Sequence, residues 1–239
     1  MTLVRHRLLV ALLVFVFACM LDAPVSLITL VLPPQLQIKN VQGSLWNGHA
    51  SAIGLGKIVV QEQVEWRLNP LAMLAGRMEW LVTGKCGEQS STLNISLGSA
   101  GVVLDNVSIY LPLEPFAALH SRLNVLGLGA TLHASAQRWS IQRPSRATLD
   151  VDGLFSVQLP QSGQLGSYRL ELDADEGGTG KWGLRSLSGV LAAKGLGTFD
   201  TRRLQFNGQL TLNPRSPLPG LSVALSRQPG SDASYMLSF

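Results

Sequence analysis

The residues able to do chemistry are few and badly placed to cooperate. His6, His49, His120 and His133 are scattered, without a second ligand at metal-binding spacing or a companion pair of cysteines. Each reads as a polar-face residue, and no metal is expected. Gly177-Gly178-Thr179-Gly180-Lys181 carries a fragment of a phosphate-binding loop. Trp182 stands where a Ser or Thr would reach magnesium, and the upstream glycine is missing, so a glycine-rich hairpin is expected. No G-x-S-x-G nucleophile elbow occurs. Asp150, Asp152, Asp173, Asp175 and Glu176 could supply paired carboxylates, but alternation assigns them to solvent faces or turns, where charge blunts strand edges. Cys19 lies in an apolar run and Cys86 in a turn, so no internal disulfide is expected and Cys86 reads as an incidental thiol. These readings exclude a catalytic constellation and a cofactor, and the chain is expected not to be an enzyme.

The elements that would position any site are strands. Val64, Trp66 and Leu68 alternate with Gln63, Glu65 and Arg67, and Ile58 and Val60 extend the apolar side, with Glu62 intruding on it and Gln61 on the water side. Met78, Trp80 and Val82 continue the pattern, as do Leu93, Ile95 and Leu97. Ala147, Leu149, Val151, Phe155 and Val157 oppose Thr148, Asp150, Asp152, Ser156 and Gln158. Period two of this kind marks strands with one face on a core and the other in water. Helices are short. Asn69-Pro70 starts one and Gly76 ends it, and residues 112–119 form a second. Glycines in G-x-G spacing, such as Gly127/Gly129 and Gly195/Gly197, are expected in turns and bulges.

The fold class is therefore all-β, a mostly antiparallel sheet with two short helical plugs. With no long amphipathic helix to cover it, the sheet must form a sandwich or curl into a half-pipe whose apolar face lines a groove. Of 239 residues, 46% are hydrophobic and 14% charged, which is ample for a core. The formal charge of +4 is spread along the chain without an aromatic-interleaved basic cluster, so nucleic acid is not an expected partner.

Before the strands comes an apolar segment. Arg5, His6 and Arg7 precede residues 8–21, which carry no charge and include Leu8, Leu12, Phe15, Phe17 and Leu21. A bilayer core needs roughly 20 apolar helical residues, which residues 8–30 supply if Asp22 lies near the far interface. Basic residues ahead of the span orient the N-terminus to the cytoplasm. Cleavage is the weaker alternative, because Met20 and Leu21 are large for signal-peptidase positions. Lipidation at Cys19 is the other alternative. The resulting layout is a tail over 1–7, an inner-membrane anchor over 8–30 and a periplasmic β domain over 31–239, with a soft subdivision near residue 143.

Two motifs stand out. Gly43-Ser44-Leu45-Trp46-Asn47-Gly48-His49-Ala50 brackets an aromatic anchor with glycines. Trp66-Arg67-Leu68-Asn69-Pro70-Leu71-Ala72-Met73-Leu74-Ala75-Gly76 follows. Their residues are read first as a buried corner and otherwise as a partner-docking surface. With the basic N-terminus and single span, the patterns G-[ST]-L-W-x-G-x-A and W-x-L-x-P-L-x-x-L-x-G resemble general secretion pathway protein N. The resemblance implies a non-catalytic accessory component of type II secretion. It would work in the inner membrane beside other inner-membrane and periplasmic components, in export of folded proteins across the outer membrane. The family is similar at a distance to AsmA-type β proteins, which keeps a lipid-binding groove as the alternative function.

Overall fold

The computed structural model describes residues 36–55, 58–99, 101–118, 127–140, 145–158, 163–201, 205–214 and 235–238. The anchor segment, Cys19 and the boundary near residue 143 lie outside them. Among the described residues no helix is long and apolar enough to cross a membrane.

The chain starts with β1 (Leu36–Lys39), β2 (Gln42–Gly43), β3 (Asn47–Leu55) and β4 (Ile58–Leu68), then α1 (Pro70–Leu74). After it come β5 (Met78–Cys86), β6 (Gln89–Gly98), β7 (Gly101–Pro112) and α2 (Glu114–Ala117). The second half is β8 (Leu128–Ser140), β9 (Ser145–Ser156), β10 (Gln164–Ala174), β11 (Thr179–Ser188), β12 (Leu191–Asp200), β13 (Gln205–Pro214) and β14 (Tyr235–Ser238). All belong to one 14-stranded antiparallel sheet in which consecutive strands pair, except that β1 and β2 both pair with β3. β1 and β2 are separated at Asn40, whose φ is 50°. α1 has the expected cap: the Asn69 side chain accepts from the Leu71 N–H, Pro70 occupies the first turn, and Gly76 follows at φ 70°. The second helix is shorter than its apolar stretch, because only Glu114–Ala117 is helical.

Of the two ways to hide an apolar face, the chain takes the curled one. Ile109, Ala134, Leu149, Leu170, Leu184, Gly195 and Leu210 stand opposite one another on β7 to β13 and form a continuous apolar row. One position along each strand, Tyr110, His133, Asp150, Arg169, Arg185 and Lys194 form the polar row. That polar face carries cross-strand ion pairs, Arg138–Asp105 at 2.8 Å, Arg169–Asp150 at 2.6 Å and Arg146–Asp173 at 2.5 Å. Strands are spaced about 4.8 Å apart, so four steps across a flat sheet cover roughly 19 Å. Yet Trp139 on β8 stacks on Phe199 on β12 with ring centroids 6.4 Å apart. The sheet must bend sharply toward its apolar side there. Even so, no large side chain among the described residues is fully buried, and the core divides into three small clusters. The result is an open half-pipe.

Bulges set the details that simple alternation misassigns. Gln63 has φ 48°, and the register of β4 against β5 shifts by one residue beside it. Glu62, expected on the apolar side, is exposed. Gln61, expected in water, turns inward and crosses the curl: its amide donates to Ser91 Oγ on β6 at 3.1 Å and to the Tyr110 carbonyl on β7. Asn106 at φ 50° makes the matching bulge in β7. A third slip lies at Gly153, beyond which the expected faces of β9 exchange, so that Ser156 is buried and Phe155 exposed. Each extra residue reverses side-chain direction downstream of it.

Candidate functional site

The two sequence motifs meet in one corner at the end of β3 and β4. Gly48 pairs with Trp66 across these strands, and the indole lies so close over Gly48 that a Cβ there would collide with its ring and with the Gln42 carbonyl. Glycine in the strand is what lets a large ring lie against the backbone. Trp66 is buried, and its Nε1–H donates to the Ser44 carbonyl at 3.0 Å. Trp80, from β5, donates its Nε1–H to the Leu45 carbonyl at 3.3 Å and stacks on Trp46 at 6.3 Å. The Ser44 hydroxyl accepts from the backbone N–H groups of Trp46 and Asn47, and Leu68 N donates to the Trp46 carbonyl at 2.6 Å. The loop's carbonyls are thus satisfied by tryptophans from two other strands, as buried polar backbone requires. Ser44, Leu45, Trp46, Gly48 and Trp66 hold the first strands together, while Gly43 at the end of β2 and Asn47 at the start of β3 are exposed.

α1 behaves differently. Ala72 is buried against the sheet, but Leu71 is 72% and Leu74 87% exposed, with Met73 exposed beside them. Pro70 and Gly76 delimit this helix. The motif therefore splits, with its tryptophans and glycines serving the corner and its two leucines projecting into solvent.

A second corner of the same kind went unread in the sequence. Trp182 on β11 lies over Gly197 on β12 and Gly208 on β13, and its Nε1–H donates to the Asn207 carbonyl at 3.2 Å. Phe199 and Ala174 are buried with it, and Phe206 stacks on Phe199 at 5.8 Å. Gly195 and Gly197 accordingly sit in mid-strand, not in the turns expected of them; the signal was glycine inside an otherwise alternating strand, with Gly208 following on the next. Of the Gly177–Lys181 stretch, Gly177 and Gly178 lie in the β10–β11 turn, closed by Asp175 N donating to the Thr179 carbonyl, and Thr179–Lys181 open β11.

Groups that could catalyse are otherwise engaged. Ser108 Oγ lies 3.1 Å from His133 Nε2, and Asp150 stands opposite His133 on β9. Both Asp150 oxygens, however, accept from Arg169, from Nε at 2.6 Å and Nη2 at 2.9 Å, and the His133 ring stacks on Tyr110 at 4.2 Å. The carboxylate that would orient the imidazole as a base faces an arginine instead. Burial pushes the Cys86 thiol up, and the carboxylates of Glu114 and Glu62 push the same way, so it stays protonated and weakly nucleophilic. Among the described residues no three His, Cys, Asp or Glu side chains gather as a metal site.

The family model for type II secretion system (T2SS), protein N, matches residues 34–234, nearly the whole described β sheet. No curated protein and no solved structure matches the chain.

Proposed function

The chain belongs to the type II secretion system protein N family, and from that premise we propose that it is a non-catalytic accessory component that works by binding other secretion proteins. In this reading residues 8–30 anchor it in the inner membrane, its N-terminus is cytoplasmic and its sheet is periplasmic. The observation carrying the binding role is the exposure of Leu71 and Leu74. Nothing in the fold requires leucine there, and contiguous exposed apolar side chains on a rigid, capped helix suit a partner's pocket. The edge strands of the described sheet, β1 and β14, offer a second mode, strand addition.

Co-purification from detergent-solubilised membranes tests this. Wild-type protein should be recovered with the inner-membrane secretion platform, and Leu71→Ser/Leu74→Ser should be folded but recovered alone. Wild-type protein recovered alone from preparations with an intact platform would sink the reading.

A lipid-binding groove is the second reading, favoured by the apolar row from Ile109 to Leu210, which no second layer among the described residues covers. An acyl chain could lie along it at roughly 25 cal/mol for each Å² removed from water. Native mass spectrometry of the purified protein would show bound phospholipid; a protein that stays lipid-free after extraction in mild detergent would eliminate it.

A further inference from the structure

The strand registers fix two ends to the half-pipe. Leu36, where β1 begins, pairs with Leu55 and so lies beside the β3–β4 hairpin at Ile58. Following the pairing strand by strand, this end also carries the Cys86–Gln89 hairpin, α2, the ends of β9 near Phe155 and the start of β12 at Leu191. α1 is at the other end, beyond Leu68. Eleven residues of β4 separate the ends by about 34 Å at 3.4 Å per residue.

We infer that the end bearing Leu36 rests on a phospholipid bilayer, with Ile58, Val59, Phe155, Val157 and Leu187 as its apolar contacts. All five are exposed on that end, Val157 at 67%. The length of chain ahead of the sheet selects the occupant. Five residues, 31–35, join the apolar segment to Leu36, and an extended chain of that length spans at most about 18 Å. If the segment is in the bilayer, Leu36 stays within about that reach of the surface, and with the strands upright α1 is held a strand's length further away. This inference rests on the proposed anchoring of residues 8–30.

Charge does not supply the attraction. Among the described residues Glu62, Glu88, Glu114 and Asp152 outnumber Lys85 toward this end, so contact depends on burying apolar side chains in the interface and should not weaken as salt is raised. A consequence for the groove follows: its apolar floor opens at the lipid surface, while the leucines of α1 point away into the compartment beyond.

The test is depth-dependent quenching in full-length protein reconstituted into phosphatidylethanolamine/phosphatidylglycerol vesicles. With Cys19→Ser and Cys86→Ser as background, a fluorophore is placed through Phe17→Cys, Val157→Cys or Leu74→Cys. Nitroxide lipids should quench strongly at positions 17 and 157 and several-fold less at 74, unchanged by added salt. Quenching at 17 with 157 no stronger than 74 would overturn the orientation and leave the anchor standing. No quenching at 17 would overturn both. Val157→Asp/Leu187→Asp, with the probe at position 58 through Ile58→Cys, should lose most of the quenching there while circular dichroism stays unchanged; retained quenching counts against these contacts.

Discussion

Trp182 and Trp66 each cover a glycine and donate an indole N–H to a backbone carbonyl, so shape and hydrogen bonding are set by the same side chain. Trp182→Ala should cost about 3–5 kcal/mol in urea denaturation, as large aromatic truncations do. Gly197→Ala should cost about 1–3 kcal/mol, because its new methyl would meet the Asn207 carbonyl first, and then Gly208 Cα and Trp182 Nε1, each at 2.7 Å. Combining the two should recover part of the loss, since one mutation removes the ring the other collides with. Full additivity would mean that the Asn207 backbone, not the ring, excludes the methyl. Tyr168 carries a pH prediction. It is buried, its O–H donates to the Leu191 carbonyl at 2.8 Å, and burial pushes its phenol up from 10.0 to about 12. The unfolded phenol ionises first, so the native state holds more protons in this window. The stability linked to it is complete below pH 10 and lost as pH rises toward 12, by roughly 2–3 kcal/mol at most. Comparing wild type with Tyr168→Phe by denaturation across that window checks it: only the wild type should show the extra loss.

At the scale of elements, α1 separates fold from function. Asn69→Ala removes a side-chain acceptor for Leu71 N at 3.1 Å and should cost about 0.5–2 kcal/mol. Leu74→Ser should change stability by no more than about 0.5 kcal/mol, as expected at an exposed site. A larger loss at Leu74 than at Asn69 in the same denaturation series would mean that the leucine packs on the protein itself. This helix was legible in the sequence because its signals are local: an accepting Asn, a Pro without an N–H and a terminating Gly. Strands such as β5 and β6 were legible for the same reason, since each alternates along most of its length, with Leu81 the apolar exception on the water side of β5. The faces of β4 ahead of Gln63 and of β9 beyond Gly153 were not, because a bulge is chosen by the partner strand's register and leaves alternation looking intact. The corner at Trp46 and Trp66 could be anticipated from glycines bracketing an aromatic. That of Trp182 joins three strands, and its glycines on β12 and β13 acquire meaning only once the pairing is known.

The whole molecule is a meander in which each strand touches mainly its two neighbours, so stability should behave as a chain of local couplings, as in repeat proteins. Among the described residues the contacts that break this rule gather in two halves of the sheet, β3–β7 and β8–β13, the second including the Leu128–Leu212 cluster and the Tyr168–Leu191 hydrogen bond. Gln61 ties β4 to β6 and β7, next to the Trp66 corner, and the Trp139–Phe199 stack ties β8 to β12, next to the Trp182 corner. Between them, β7 and β8 are joined by ordinary sheet pairing. Local opening should then occur in two units that meet near this pair. Hydrogen exchange read by mass spectrometry makes this testable. Trp182→Ala should speed exchange in β11, β12 and β13 while leaving β3, β4 and β5 close to wild type, and Trp66→Ala should do the reverse. Equal acceleration at both ends by either substitution would mean that the curl is one cooperative body. In that case a partner bound at α1 would be felt along the whole groove; with two units, binding at the Trp66 corner and occupancy of the apolar row from Ile109 to Leu210 are free to vary independently.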